Sequence, residues 1–350
     1  MTTPGGVLAA DVLDTAVVFR VPLRVPFRGV TDRIGVLLAG PAGFGEFAPF
    51  PEYPPVEAAR WLDAALEAAL LGWPAPVRDR VGVNAIVPAL SAQAAGELAA
   101  AARVRGARTI KVKVAAGSLD ADADRLAAVR ESFGAGAIRV DANGGWNVEE
   151  AVAAIRRLDR VAGGLQYVEQ PCANLEDLAR VRAQVSVPVA ADESIRRAAD
   201  PVRAVEAGAA DVLVLKSAPL GGVRSALRII ARTDVPVVVS SAMDTSVGLR
   251  AALALAAALP RLDYDCGLGT SALLADDLTA PSLLAAAGGI SVPMGADGRV
   301  DASVPDPAAV ARATARVSPA ERREWLARLR AAWSAGSAER FGDLVADSRI

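Results

Sequence analysis

The chain has 350 residues, 53% of them hydrophobic, and its 38 Lys and Arg side chains against 40 Asp and Glu give a formal net charge of -2. This length and apolar content can build one large α/β barrel with a smaller attached domain, or two to three modest domains. The balanced charge gives no support for a nucleic-acid or membrane-surface partner, so we expect a small-molecule partner.

Residues 1–82 are predicted to form a separate N-terminal α+β domain. Runs with β-strand character cover Val7 to Val18 and Ile34 to Leu38, and Val56 to Leu71 has the pattern of a helix. Between the two runs, Arg20 to Arg33 combines prolines and a glycine with arginines, which predicts a surface loop.

Residues 83–270 alternate short apolar runs with alanine-rich stretches, as repeated βα units do. The eight predicted strands are Val83 to Val87, Arg108 to Val114, Ala137 to Asp141, Leu165 to Glu169, Val187 to Ala191, Asp211 to Leu215, Val235 to Ser240 and Leu262 to Cys266. Predicted helices include Asp120 to Glu131, Asn147 to Leu158, Leu175 to Val185, Gly222 to Arg232 and Val247 to Ala258. No glycine-rich nucleotide-binding turn follows the first strand, so a (β/α)8 barrel (TIM-type) is favoured over an open doubly wound sheet.

Residues 271–350 are predicted to complete the barrel and to return to the N-terminal domain. Within them, Ser318 to Ala335 has the pattern of a helix, and Ser318 is placed to cap it. The large apolar side chains on one side of this helix are Trp325, Leu326, Leu329 and Trp333. We expect that side to pack against the rest of the protein.

Charged residues occur at the carboxyl ends of several predicted strands, which is where barrels of this type carry their active sites. Lys111 and Lys113 lie two residues apart on the second strand and therefore point to the same side. An exposed edge strand protected by lysines is the alternative interpretation of that pair. The later strands end in Asp141, Glu169, Asp192 and Lys216.

Three consecutive strands each deliver one carboxylate, from Asp141, Glu169 and Asp192. Taken singly, each could be solvated or could cap the following helix. Brought together without a cation they would repel one another, so a divalent metal ion is predicted. Oxygen ligands with room for substrate suit Mg²⁺, which Mn²⁺ can replace.

The sequence contains no histidine, which removes the commonest general base and the commonest zinc ligand. Lys113 is the predicted base, because Lys111, Lys216 and a metal ion all favour its neutral, proton-accepting form. It could take a proton from a carbon next to a carboxylate. Lys216, on the sixth strand, would face the opposite side of the substrate.

Five motifs in this order resemble the enolase superfamily, in its muconate-lactonizing subgroup, over nearly the whole chain. They are Lys111-Val112-Lys113, Asp141-Ala142-Asn143, Glu169-Gln170-Pro171, Asp192-Glu193-Ser194 and Lys216. The resemblance implies that the N-terminal domain caps the barrel and that the three carboxylates bind Mg²⁺. It also implies that Lys113 and Lys216 flank the substrate while Lys111 tunes Lys113.

Within that subgroup, the Arg139-x-Asp141-x-Asn143 motif, the short cap and residues 240–248 resemble the o-succinylbenzoate synthases of the actinobacterial kind. The implied reaction dehydrates a hydroxycyclohexadiene carboxylate (SHCHC) to o-succinylbenzoate in menaquinone synthesis. By this resemblance Lys113 removes the α-proton and then protonates the departing hydroxyl. Lys216 stabilises the enediolate.

Four further residues are predicted to surround the substrate and metal. Arg139 shares the parity of Asp141, so it faces the interior and contacts either the substrate or a neighbouring carboxylate. Asn143 supports the metal ligands by hydrogen bonding. Ser240 and Ser241 could meet the succinyl carboxylate, although a serine at that place can also cap a helix.

Asp263 and Asp265 leave a second activity open, because a pair of this kind binds the substrate ammonium in dipeptide epimerases. Racemase or epimerase activity is therefore the second hypothesis and cycloisomerase activity the third. A barrel that binds a ligand without catalysis is the alternative that is not an enzyme. Cys172 and Cys266 lie far apart in sequence, and no signal-peptide pattern is present at the N-terminus, so a reduced, cytoplasmic protein is expected. The oligomeric state is left open.

Overall fold

The N-terminal unit is a three-stranded antiparallel sheet covered by a helix, in a computed structural model that describes residues 9–27, 29–196, 202–302 and 305–337. Its elements are α1 (Ala9–Leu13), β1 (Val17–Phe27), β2 (Val30–Gly40), β3 (Gly43–Phe47) and α2 (Pro55–Leu70). Helix α2 starts with a proline, whose missing N–H is not needed there. It buries Trp61, Leu62 and Leu66 at 1% exposure or less.

Two predictions for this unit are wrong. The strand predicted from Val7 to Val18 is helical at Ala9–Leu13, and β1 begins only at Val17; residues 1–8 lie outside the described residues. The loop predicted from Arg20 to Arg33 belongs to the β1–β2 hairpin. Alternate side chains such as Phe19 and Val21 are fully buried, and this period of two outweighs the prolines. Arg28 lies outside the described residues.

The second unit is a ring of parallel strands that follow one another in sequence order. Within the described residues they are β5 (Ala85–Val87), β6 (Thr109–Lys113), β7 (Ala137–Asp141), β8 (Tyr167–Glu169), β9 (Val189–Ala191), β10 (Val212–Leu215) and β11 (Val237–Val239). The predicted eighth strand forms only single bridges, from Cys266 to Val83 and from Gly267 to Ser240. These bridges lie next to β5 and β11, the two edges of the sheet, and close the (β/α)8 barrel.

The helices pack around the outside of the ring, and their apolar faces form one large core with the strands. They are α3 (Ala92–Val104), α4 (Leu119–Phe133), α5 (Val148–Ala162), α6 (Leu175–Arg182), α7 (Glu193–Arg196), α8 (Arg203–Glu206), α9 (Val223–Ile230) and α10 (Ser246–Ala258). Side chains of Ser91, Ser118, Asn147 and Asn174 cap four of them. Of the helices in the described ranges, none is long and apolar enough to cross a membrane.

The C-terminal segment returns to the N-terminal unit, as predicted. Its elements, with the remaining short pieces, are β4 (Arg80–Gly82) paired with β12 (Gly289–Ser291), α11 (Pro307–Ala315), α12 (Pro319–Ala332) and short turns of helix at Ala218–Leu220, Gly269–Leu273 and Trp333–Ser337. Ser318 and Glu321 form the predicted capping box of α12. Trp325 and Leu329 pack in one core cluster with Trp61 of α2. The domain boundaries at residues 82 and 270 stay a prediction.

Candidate active site

Three buried carboxylates lie side by side at the carboxyl end of the barrel. Asp141 ends β7, Glu169 ends β8, and Asp192 follows β9, with exposed fractions of 1%, 1% and 2%. Asp141 is paired in register with Glu169 on one side and with Lys113 on the other, so these residues stand at one level of the barrel. Parallel pairing of successive strands therefore brings together groups that are far apart in sequence.

Each carboxylate faces a lysine. Lys111 Nζ lies 2.9 Å from both oxygens of Glu169 and 3.4 Å from Asp141 Oδ2. Lys113 Nζ lies 2.5 Å from Asp141 Oδ2, and Lys216 forms an ion pair with Asp192. The six charged groups thus form one compact cluster inside the mouth of the barrel.

These three are the chain's only lysines; all its other basic residues are arginine. Elsewhere in the protein, arginine evidently serves wherever a positive charge is needed. An arginine side chain stays protonated in proteins and cannot act as a base, whereas a lysine can. The rarity of lysine in this sequence is therefore a further signal that points to the site, independent of the strand pattern.

The electrostatics of the cluster favour an added cation. Burial, followed by the negative charge of Asp141, raises the pKa of Glu169 to about 7, despite the opposing effect of Lys111. Burial lowers the pKa of Lys111, but the charges of Glu169 and Asp141 outweigh it and the net change is upward. Lys111 is therefore a fixed positive charge next to Lys113.

The donor set suits a hard metal ion, because it consists of carboxylate oxygens. Over the described ranges, however, no three acidic or cysteine side chains are arranged closely enough to hold a metal ion. Each of the three carboxylates forms an ion pair with a lysine ammonium group. Metal binding would need these carboxylates to turn from the lysines.

A cavity of about 500 Å³, including its opening to solvent, lies above the cluster. Its lining includes all six charged residues and, beyond them, Phe50, Ile86, Ser240, Ser241, Ala242, Met243, Gly267 and Thr270. Ser241 Oγ donates to Gly267 O at 3.1 Å and lies 2.6 Å from Thr270 Oγ1. Ser240 and Ser241 therefore reach the predicted place, at the wall of the cavity.

Sequence reasoning missed Phe50, Ile86, Met243 and Thr270. Ile86 has the same strand parity as the interior residues, and this signal could have identified it. Phe50 comes from the loop after β3, between two prolines, and nothing local to it indicates a contact with the barrel. The cavity is thus a joint product of the barrel and the N-terminal unit.

The backbone is strained where the strands enter the site. Asn143, Gln170 and Met243 are non-glycine residues with φ of 48°, 41° and 61°, and such conformations cluster at functional sites. Asn143 accepts a hydrogen bond from Lys113 Nζ at 2.8 Å, and its backbone N–H donates to Asp141 at 3.0 Å. It therefore contacts the base and one of the predicted metal ligands.

Arg139, predicted to contact either the substrate or a neighbouring carboxylate, is not among the residues that line the cavity. It is fully buried one layer below, in register with Lys111 and Tyr167. Its guanidinium lies 4.7 Å from the centre of the Tyr167 ring and donates to Asp265 O at 2.7 Å. Arg139 therefore supports the floor of the site.

Asp263 and Asp265 also lie away from the cavity. Asp265 accepts hydrogen bonds from Thr109 at 2.7 Å and Arg108 at 3.3 Å, both at the amino end of β6. Asp263 pairs with Arg261 at 2.6 Å on the surface. The ammonium-binding role considered for this pair is incompatible with its position, because the cavity opens at the other end of the barrel.

The chain matches known proteins both in sequence and in fold. The family described as Enolase C-terminal domain-like matches residues 94–298, and the one described as Enolase N-terminal domain-like matches residues 18–69. The o-succinylbenzoate synthase of Thermobifida fusca is 53% identical over 318 residues, covering 90% of this chain and 96% of the relative. That of Mycolicibacterium smegmatis is 52% identical over 317 residues, covering 90% and 94%.

Among solved structures, the L-Ala-D/L-Glu epimerase from Bacillus subtilis superposes with a TM-score of 0.70. It is 24% identical and covers 82% of this chain and 96% of its own. A likeness at that identity supports the barrel and its cap, and no more than the fold.

Proposed function

Because the chain belongs to the enolase superfamily and, within it, to the family of o-succinylbenzoate synthases, we propose that it dehydrates SHCHC to o-succinylbenzoate, a step of menaquinone synthesis. The observation that supports the proposal is that Lys113 and Lys216 line one cavity together with three buried carboxylates. A cycloisomerase or a purely ligand-binding barrel has no comparable support. The racemase hypothesis is weakened, because Asp263 and Asp265, the pair that suggested it, lie away from the cavity.

Members of the superfamily generally depend on a divalent metal ion, and we propose Mg²⁺, replaceable by Mn²⁺, for this chain. Asp141, Glu169 and Asp192 would hold it, and the upward pKa shift of Glu169 is the local reason that a cation is favourable there. When bound, the ion would draw negative charge onto the substrate carboxylate and acidify the neighbouring carbon. Asn143 would keep Asp141 oriented through its backbone N–H.

Lys113 carries both proton transfers in this mechanism. As a neutral amine it takes the proton from the ring carbon that bears the carboxylate, and the electron pair of the broken C–H bond moves into that carboxylate. As an ammonium it then gives a proton to the hydroxyl of the adjacent carbon. That C–O bond breaks, the electron pair returns to the ring, and water and the aromatic product are released.

Two other lysines act through charge. Lys216 faces the substrate from the sixth strand and stabilises the negative charge that develops on its carboxylate. Lys111, held by Glu169 and Asp141, remains positive beside Lys113. Ser240 and Ser241, at the cavity wall, are the proposed contacts for the succinyl carboxylate of the substrate.

The test is a direct assay with SHCHC and Mg²⁺, with and without a chelator. Wild type should form o-succinylbenzoate only in the absence of chelator. Lys113→Ala and Lys113→Arg should both lose activity by about 10²- to 10⁴-fold, since alanine has no base and arginine keeps the charge but cannot accept the proton. Calorimetry should find Mg²⁺ binding retained in Lys113→Ala. Robust turnover by either variant would exclude Lys113 as the base.

A further inference from the structure

The loop between β11 and α10 forms one wall of the cavity. Four consecutive residues of this loop line it: Ser240, Ser241, Ala242 and Met243. Met243 has φ of 61°, a left-handed conformation that a methionine seldom adopts unless its surroundings hold it. The shape of this wall therefore depends on whatever fixes the loop.

Arg33 of β2 holds the loop from the side of the N-terminal unit. Its side chain is 2% exposed, and its Nε donates to Met243 O at 3.1 Å. Its Nη2 donates to Ala48 O. The guanidinium also lies 4.7 Å from the centre of the Phe50 ring. One buried side chain thus contacts both segments that supply the bulky apolar wall residues, Met243 from the barrel and Phe50 from the cap.

The charge of Arg33 is balanced by two buried carboxylates that accept hydrogen bonds from the same loop. Asp244 and Glu46 are 7% exposed each and face the guanidinium. Asp244 Oδ2 accepts a hydrogen bond from Ala242 N at 2.9 Å, and Glu46 accepts from Thr245 N at 3.3 Å. Removing Arg33 would leave these carboxylates without their cation and the carbonyl of Met243 without this donor.

We propose that Arg33 is a positioning residue for the substrate: it clamps the loop of Met243 against the loop of Phe50 and thereby shapes the substrate pocket. The proposal rests on the proposed function. Arg33 lies outside the lysine and carboxylate cluster, so its loss should weaken substrate binding and leave metal binding unchanged.

The experiment compares full-length Arg33→Ala with Arg250→Ala, a matched control. Arg250 is also a buried arginine, 9% exposed, but it donates to Asp301 O and does not line the cavity. Arg33→Ala should raise KM for SHCHC about tenfold or more, with Mg²⁺ affinity within about twofold of wild type. Millimolar methylguanidinium should restore KM, because it fills the space that the guanidinium vacates. Arg250→Ala should show neither effect.

Hydrogen exchange gives a readout that does not depend on the substrate. Peptides covering residues 48–53 and 241–247 should exchange faster together in Arg33→Ala and stay protected in Arg250→Ala. If Arg33→Ala does not fold, Arg33→Lys, which keeps the charge but not the paired donors, takes its place. Unchanged KM, or unchanged exchange in both peptides, would overturn the proposal. If wild type fails to convert SHCHC, the proposed function fails while the exchange result still decides on the clamp.

Discussion

Two regions of this protein bury several charges, and they do so in opposite ways. At the barrel mouth, three carboxylates and three lysines line one cavity and form ion pairs with one another. At the seam between the N-terminal unit and the barrel, single carboxylates meet the backbone of a helix terminus. Glu46 accepts from Thr245 N and Gly248 N at the start of α10.

Glu67 of α2 repeats the arrangement of Glu46 at the start of α9. It is fully buried and accepts from Val223 N at 2.5 Å, Arg224 N at 3.1 Å and Arg224 Nη1 at 2.9 Å. Helix N-termini carry unpaired N–H groups and partial positive charge, so a carboxylate from another domain is a permanent partner there.

The difference separates function from stability. At the mouth, a metal ion can replace a lysine ammonium group as the partner of a carboxylate, and a substrate carboxylate can replace a protein carboxylate as the partner of a lysine. Backbone N–H groups at the seam have no such replacement. Substitutions at the mouth should therefore abolish chemistry with little loss of stability, whereas removal of a seam carboxylate such as Glu67 should lower stability with little change in kcat.

Of the carboxylate substitutions that compare the two regions, Asp192→Asn should have the largest effect. Activity should fall on the order of 10³-fold, because one of three proposed metal ligands is weakened. Wild type at a Mg²⁺ concentration 100 times its Kd should gain about 2.7 kcal/mol of unfolding free energy, and the variant should gain much less. Thermal unfolding with and without Mg²⁺ measures this. Equal stabilisation of both proteins would remove Asp192 from the metal site.

The mouth could be predicted from sequence because parallel strands share one end and their side chains alternate. Those two rules bring Lys113, Asp141 and Glu169 to one level without any knowledge of packing. The position of a side chain along its strand was harder to predict than the side of the sheet to which it points. Arg139 has the same parity as Asp141 but lies two residues before it, roughly 6.6 Å along the strand. Its guanidinium is held by Gln166, Asn84 and Asp265 O and does not reach the cavity.

The seam could not be predicted in the same way. Arg33 and Phe50 contact the barrel only because the N-terminal unit packs on it in one orientation, and no local pattern encodes that contact. Arg33 even lies in a stretch whose prolines and arginines favoured an exposed loop. The prediction of a regular eighth strand was also wrong. The residues at that place make single bridges to two neighbours and do not form a regular ladder of hydrogen bonds.

Glu67→Ala tests the seam and should cost about 2–4 kcal/mol of unfolding free energy, because three buried donors lose their acceptor. Its kcat should stay near that of wild type. The control is Glu149→Ala, whose exposed side chain lies 3.7 Å from Arg180 and should change stability by less than about 0.5 kcal/mol. Urea denaturation gives both values. A Glu67→Ala protein that is inactive but fully stable would reverse the assignment of the two regions.

Glu46→Gln should have the smallest effect, and it should depend on pH. Burial, followed by the negative charge of Asp244, raises the pKa of Glu46 from 4.5 to about 7, against the opposing charge of Arg33. The folded protein then binds this proton more tightly than the unfolded chain, so its stabilising contribution is present below pH 4.5 and is lost as pH rises through 7. A glutamine does not titrate, so the stability difference between wild type and variant should shift by roughly 1–3 kcal/mol in favour of the variant between pH 5 and pH 8. Urea titrations at several pH values measure that difference, and a constant difference across this range would mean that Glu46 is charged in the folded protein throughout.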